Sequence, residues 1–238
     1  MDDNRTFLLQ QVIDDLLDPN LSLESPLLKL NYLARLIKNE SLQTFTDLEI
    51  NGYKEAKMPK YRLGRAQLMV KFQAGSYEHT KELPLAMIEK SYREAMEHVP
   101  VAEGIKVLEA MSAKTENGSD MLSVSVPLEY LHLLQEPTAK LYRSNTRIIV
   151  VGATIITNSN IVTQILSTVR SRLLAFVMEI GEEFGYQIEV GTFRTRQSEN
   201  NQTVNNYIRN EITNHGSNNI TNTGGDSKIE VKPGNTGN

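Results

Sequence analysis

Residues 159–185 read SNIVTQILSTVRSRLLAFVMEIGEEFG and contain the longest helical pattern in the chain. Apolar residues recur there at every third or fourth position and form one stripe, which predicts an amphipathic helix of about seven turns ending at Gly185. The stripe contains Val162, Ile165, Leu166, Val169, Leu173, Phe176, Val177, Ile180 and Phe184. Because a helix of this length crosses a whole domain, we expect it to brace the rest of the fold.

The N-terminal residues 1–55 carry three shorter helical patterns. The first stops before Pro19, the second begins with Pro26 in its first turn, and the third ends at Gly52. Proline at the start of a helix and glycine after its end are common boundary signals. We therefore predict an N-terminal unit of three helices.

Residues 56–185 combine strand and helix patterns. Leu68, Val70 and Phe72 alternate with polar residues, as in a half-buried strand, and a turn signal and a second short strand follow. The predicted fold class is α+β, with helices in the majority and a small antiparallel sheet. The three-helix unit, this sheet and the long helix would form one folded body of residues 1–185.

Residues 186–196 are predicted as a linker or strand that leads into a polar tail of residues 197–238. Asn, Gly, Thr and Ser predominate in this tail, with isolated Val and Ile residues. Such tracts either remain disordered or form short β-strands that stack through Asn ladders, often between chains. A helix is an alternative for the first part, where apolar residues are spaced by four. The residues predicted to mediate self-assembly are Val204, Tyr207, Ile208, Ile212, Asn219, Ile220, Ile229 and Val231.

Overall composition narrows the classes of function. The chain has 238 residues, of which 39% are hydrophobic, so it can bury a substantial core. Its formal net charge of -4 argues against a basic surface that binds nucleic acid over the whole protein. The absence of cysteine excludes disulfides, thiol nucleophiles and thiolate metal ligands, and it fits a reducing cytosol.

Neither secretion nor membrane insertion is predicted. Residues 1–5 are acidic and polar, whereas a signal peptide begins with basic and then apolar residues. The longest apolar run, residues 148–156, is shorter than the roughly 20 residues of a membrane helix. We therefore expect a cytoplasmic protein.

Motifs for catalysis or metal binding do not stand out in the chain. Its histidines are isolated, and neither a nucleophile elbow nor a glycine-rich phosphate loop is present. Asp226, Glu230 and Lys232 are of the types found in one class of metal-dependent nuclease, but they lie close together on a polar tail rather than across a rigid sheet. We predict no catalytic residue, no metal site and no cofactor.

Four arginines could form a basic face that contacts an anion or the carboxylates of a partner. These residues are Arg143, Arg147, Arg170 and Arg172. The other interpretation is that the arginines of the long helix pair with glutamates further along it. Those glutamates are Glu179, Glu182 and Glu183.

The body also contains several short motifs in a distinctive order. Residues 9–61 include VIDDL, LLKL with LAR, LEINGY and PKYR; ELPL follows at residues 82–85, and the long helix adds VRSRLLAF at residues 169–176. In order and spacing these motifs resemble the AbiTii family of bacterial abortive-infection proteins, over residues 7–185.

The resemblance implies a cytosolic bacterial protein that defends against phage by halting or killing the infected cell, and it implies no mechanism or active-site residue. We expect the protein to act by interaction and self-assembly, as a tail-mediated homo-oligomer with a phage or host protein as partner. One alternative is a toxic metal-dependent nuclease whose site one sequence does not reveal. A second is a nucleic-acid-binding protein that uses the four arginines.

Overall fold

The structure is a computed structural model that describes residues 5–114 and 121–213. The strands are β1 (Thr6–Leu8), β2 (Leu63–Arg65), β3 (Gln67–Ala74), β4 (Tyr77–Glu82), β5 (His98–Pro100), β6 (Met121–Ser125), β7 (Ile148–Asn158) and β8 (Gln187–Glu189). The helices are α1 (Gln10–Leu17), α2 (Glu24–Ile37), α3 (Glu40–Asn51), α4 (Lys90–Met96), α5 (Ile105–Lys114), α6 (Leu131–Tyr142), α7 (Asn160–Phe184), α8 (Val190–Thr195) and α9 (Gln197–Tyr207). A π-helical turn, Ile208–Thr213, follows α9.

Helix α7 is the centre of a helical core. Its 25 residues pack against α1, α5 and α9. The buried apolar side chains on its stripe are Val162, Ile165, Val169, Leu173, Phe176, Val177 and Ile180. Leu166 and Phe184 are only partly buried and lie at the edge of the stripe. The predicted brace helix is therefore confirmed, and it joins the N-terminal helices to α5 in one core.

Helix α7 is also the one helix in the described ranges that is long and apolar enough to cross a membrane. Length and composition alone give this result, and the core helices of soluble proteins meet the same criteria. In this fold the apolar stripe of α7 is buried among the chain's own helices. Of the most apolar stretch of α7, 33% is buried inside the chain.

A four-stranded antiparallel sheet, in the order β4-β3-β7-β6, forms a second core. Strand β7 lies inside the sheet and pairs with β3 and β6. Leu68, Val70 and Phe72 of β3 point to its buried face, where Leu134 of α6 packs against the sheet. The predicted α+β fold with a helical majority and a small antiparallel sheet is confirmed.

The C-terminal part of the described chain is helical and belongs to the body. Val204, Ile208 and Ile212 are 1%, 8% and 3% exposed and lie in the same core as α7. The preference for β-strands over residues 205–212 was wrong, because this segment is helical and buries Val204, Ile208 and Ile212 against the core, and this packing outweighs the local preference of Asn-rich sequence. Tyr207 is partly buried against the same core. The remaining predicted self-assembly residues, Asn219, Ile220, Ile229 and Val231, lie outside the described residues.

A substitution at Gly104 tests how closely the end of α3 approaches the segment before α5. A Cβ atom at Gly104 would overlap the backbone carbonyl oxygen of Ile50, at the end of α3. We expect Gly104→Ala to lower the free energy of unfolding by about 3 kcal/mol, because backbone atoms cannot move aside as a flexible side chain can. Chemical denaturation monitored by circular dichroism measures this loss.

Gly152→Ala is the matched control for this substitution. A Cβ atom at Gly152 would make ordinary contact with Lys71, at 3.7 Å from its Cβ. The control should stay within about 0.5 kcal/mol of the parent protein. Equal stability of the two variants would show that the backbones of α3 and the segment before α5 are not in close contact.

Candidate functional site

A buried ion pair lies where α3, the segment after it and the segment before α5 meet. Glu49 is in the last turn of α3, and Arg62 ends a short 3-10 turn at Lys60–Arg62. Both side chains are 0% exposed, and Nη2 of Arg62 lies 2.6 Å from Oε2 of Glu49. Nη1 of Arg62 also donates hydrogen bonds to the carbonyl oxygens of Val101 and Glu103, at 3.2 and 2.7 Å. One guanidinium group therefore ties three separate segments together.

Two tyrosines complete the surroundings of the Glu49 carboxylate. The hydroxyl groups of Tyr53 and Tyr61 each donate a hydrogen bond to Oε1 of Glu49, at 2.5 Å. The guanidinium carbon of Arg62 lies 4.7 Å from the centre of the Tyr53 ring, a distance suited to cation–π attraction. We call Glu49, Tyr53, Tyr61 and Arg62 the Glu49 cluster.

The electrostatics of the Glu49 cluster keep its protons fixed near neutral pH. Burial raises the pKa of Tyr53 and Tyr61, and the negative charge of Glu49 raises both further. Burial alone would lower the pKa of Arg62, but the adjacent Glu49 carboxylate outweighs it, so this pKa is raised. The phenols thus stay neutral and the guanidinium stays charged, which suits a structural connection better than proton transfer.

Arg172 of α7 links the Glu49 cluster to the C-terminal end of the described chain. Its guanidinium carbon lies 4.5 Å from the centre of the Tyr61 ring. Its Nη1 donates a 2.5 Å hydrogen bond to the carbonyl oxygen of Ile212 in the π-helical turn. Arg172 therefore holds the last described turn against the cluster.

The four arginines predicted as a basic face have different roles. Arg170 donates hydrogen bonds to carbonyl oxygens in the last turn of α1 and just after it, and the acceptors are Asp15, Leu16, Asp18 and Leu21. Arg143 and Arg147 are exposed near the turn between α6 and β7. The arginines of α7 thus bind carbonyl oxygens, not the predicted glutamates, because helix ends and turns present unpaired acceptors there.

A groove beside the Glu49 cluster has a volume of about 570 Å³. It lies between α3, the segment of residues 53–61 and the π-helical turn, and we call it the Tyr61 groove. Its lining residues are Glu40, Ser41, Thr44, Phe45, Leu48, Tyr53, Lys57, Met58, Pro59, Tyr61, Ile208 and Ile212. Residue 213, where the described chain ends, directly follows this lining.

A larger cleft, of about 1090 Å³, is lined by β2, β5 and the start of α7. Its lining includes two positive side chains, Arg65 and Arg93, and two negative ones, Glu82 and Glu97, so their charges cancel. Nε of Arg93 lies 3.8 Å from Oε1 of Glu97. Within residues 5–114 and 121–213, no group of three or more His, Cys, Asp or Glu side chains is arranged to hold a metal ion. Asp226, Glu230 and Lys232 lie outside these ranges.

The sequence did not predict the Glu49 cluster, although its residues belong to two of the motifs noted there. Glu49 and Tyr53 belong to the LEINGY motif, and Tyr61 and Arg62 belong to PKYR. The spacing of Glu49 and Tyr53 by four is a helical signal that could have paired them. The burial of Arg62 has no such signal, since it depends on carbonyl groups some forty residues further along the chain.

We expect Glu49→Gln to lower the free energy of unfolding by about 3 to 5 kcal/mol, because it leaves the Arg62 charge buried without a counter-charge. Glu78→Gln is the matched control, since the Lys71–Glu78 pair is equally close, at 2.7 Å, but 49% exposed on both sides. The control should cost less than about 1 kcal/mol. Denaturant unfolding measures both losses, and similar values for the two variants would contradict the role of the buried pair.

The free energy of unfolding should also fall at alkaline pH because of Tyr53 and Tyr61. In the unfolded chain the phenol groups lose their protons at about pH 10. In the folded state the raised pKa values of Tyr53 and Tyr61 keep these protons bound. The stabilisation is therefore complete below about pH 10. At higher pH the free energy of unfolding falls by about 1.4 kcal/mol per pH unit for each tyrosine. Tyr53→Phe and Tyr61→Phe should each make the fall less steep.

Unfolding by urea at several pH values between about 9 and 11.5 measures this slope. Tyr77→Phe removes a phenol that is 74% exposed and should leave the slope as in the parent protein. A slope unchanged by Tyr53→Phe and Tyr61→Phe would show that these hydroxyls are not held beside the Glu49 carboxylate.

A comparison with known protein families shows which family this chain belongs to. The AbiTii family model matches residues 7–206, which include the whole Glu49 cluster and most of α9. No curated protein and no solved structure matches the chain. The match extends over most of the chain, and the motifs that supply the cluster lie within it. The chain therefore belongs to the AbiTii family, which implies a role in abortive infection, the bacterial defence against phage.

Proposed function

We propose that this AbiTii protein acts in abortive infection as a cytoplasmic interaction and self-assembly module, with residues 214–238 as the self-associating tail. The observation that carries the proposal is the docking of residues 197–213 on the body. This docking gives the tail a fixed starting point beside the Tyr61 groove. A phage or host protein would supply the trigger for assembly.

The docked segment is held by both apolar and polar contacts. Val204 and Ile212 are buried in the helical core, and each such side chain contributes about 1.5 to 3 kcal/mol. Asn39, which caps α3, donates from Nδ2 to Oδ1 of Asn205 at 3.1 Å, and Asn201 donates to the carbonyl oxygen of Lys38 at 3.1 Å. The body thus presents the tail from one defined place.

The composition of the tail supports association between chains. Residues 214–238 are mainly Asn, Gly, Thr and Ser, with Ile220, Ile229 and Val231 as isolated β-branched residues. Such sequences can stack as strands whose Asn side chains form ladders, and stacking joins chains. A defence protein that acts by clustering would need no catalytic group of its own.

Neither alternative function gains support from the described residues. A nuclease would use groups outside them, at Asp226, Glu230 and Lys232. A phosphate-binding face made of four arginines would lack two of them, because Arg170 and Arg172 already donate hydrogen bonds to carbonyl oxygens of this chain. Self-assembly through the tail is therefore the function that the geometry supports best.

We expect removal of residues 214–238 to convert a large assembly into a small species and to abolish protection of bacteria against phage. Multi-angle light scattering after gel filtration measures the mass, and plating of infected cells measures protection. The cut belongs after Thr213, because a cut after Arg196 would also remove Val204, Ile208 and Ile212 from the core. Thermal unfolding of the shortened chain checks that the body remains folded.

A full-length variant with Ile220, Ile229 and Val231 replaced by Ser controls for tail length. It keeps the length of the tail but loses its aliphatic side chains, so it should behave as the shortened chain does. Equal masses for the parent and the shortened chain, together with intact protection, would overturn the proposed function.

A further inference from the structure

We propose that the Tyr61 groove accepts residues Ile229–Val231 from the tail of a second copy of the chain. The proposal rests on the proposed function, because it names the acceptor that a self-associating tail requires. The groove has the volume for a few side chains, about 570 Å³, and lies where the described chain ends. It is built from the body, whereas the donor segment comes from the tail.

The floor of the groove is apolar and only partly covered. Phe45, Leu48, Met58 and Tyr61 are each half-buried, and Ile208 continues the apolar surface on the side of the π-helical turn. Filling the groove would remove these exposed apolar atoms from water, which favours association by about 25 cal/mol for each Å² covered. An occupant with two apolar side chains on one face is therefore expected.

The tail contains such an occupant at one place. Within residues 214–238 the apolar residues are Ile220, Ile229 and Val231, and only Ile229 and Val231 are two positions apart. In an extended segment, residues two apart point to the same face, and the residue between them points to the other. Ile229 and Val231 would then enter the groove, and Glu230 would lie across its mouth, beside the exposed rim.

The rim of the groove carries charges that match those of the segment. Lys57 and Glu40 are exposed among the residues that line it. Glu230 of the segment would meet Lys57, and Lys232, the residue directly after the segment, would meet Glu40, so both pairs bring opposite charges together. Electrostatic complementarity of this kind fixes the register of a partner more than it adds affinity.

The arrangement predicts how assembly grows. The tail and the groove are different surfaces, so each copy offers one of each and the contact is head-to-tail. Such contacts extend into an open chain of copies unless the rotation between neighbours closes a ring. A tail bound to its own groove would instead block association.

The test is a charge swap in the full-length protein. We expect Lys57→Glu and Glu230→Lys each to raise the concentration at half-assembly about fivefold, because each replaces attraction by repulsion at the rim. The double variant should return this concentration to within about twofold of the parent, since it restores opposite charges. Light scattering over a dilution series measures the half-assembly concentration.

Lys54→Glu is the matched control. It makes the same charge change at an exposed position of the same segment, outside the lining of the groove, and should leave assembly unchanged. The inference is overturned if Lys57→Glu acts no more strongly than Lys54→Glu, or if the double variant stays as weak as the single ones. Stronger assembly of Lys57→Glu would also overturn it, since it would place the tail in its own groove.

The shortened chain that ends at Thr213 separates the two proposals. If this chain is small and Lys57→Glu assembles like the parent, the tail drives assembly but the groove is not its acceptor. If the shortened chain is as large as the parent, the proposed function itself fails.

Discussion

The pairing of Glu49 with Arg62 is the constraint on which the arrangement of the body depends. Moving two charges out of water costs several kcal/mol for each ion, and the cost is offset only when the remaining polar atoms are also satisfied. Here two tyrosine hydroxyls complete the carboxylate and two backbone carbonyls accept from Nη1 of the guanidinium, and among the described residues only Nε of Arg62 is left without a hydrogen-bond partner in this pair. The pair is therefore stable in one arrangement of three chain segments, and it disfavours packings in which these segments are displaced.

The same cluster explains why the end of the described chain lies where it does. Tyr61 uses its hydroxyl for Glu49 and its ring face for Arg172, and Arg172 in turn binds the last helical turn through Ile212. Three side chains thus connect the end of α3 to the start of the tail. The hydrogen bond from Asn39, the N-cap of α3, to Asn205 of α9 acts in parallel, so the segment that leads into the tail has a second, independent attachment.

Local patterns were sufficient to predict the helices and the sheet, but not the cluster. The stripe of α7 and the alternation of Leu68 and Val70 are properties of neighbouring residues, and periodicity reports them directly. The helical state of residues 204–212 was misjudged because Asn-rich composition favours strands or disorder, whereas burial against α7 overrode that preference. Apart from Glu49, the hydrogen-bond acceptors of Arg62, Arg170 and Arg172 are backbone carbonyl groups distant in the sequence. Every residue has such a carbonyl group, so the residue types do not reveal which of them accept.

The attachment of the N-terminus to late parts of the chain has a consequence for synthesis. Strand β1 pairs with β8, with Phe7 opposite Ile188, and the carbonyl oxygens at the end of α1 are satisfied by Arg170. The first helices therefore cannot complete their core until the ribosome has made α7 and β8. Because contacts this distant in sequence form slowly, a truncated or stalled chain has no finished body. In a protein of the abortive-infection class, fragments left by interrupted synthesis would therefore lack the folded body.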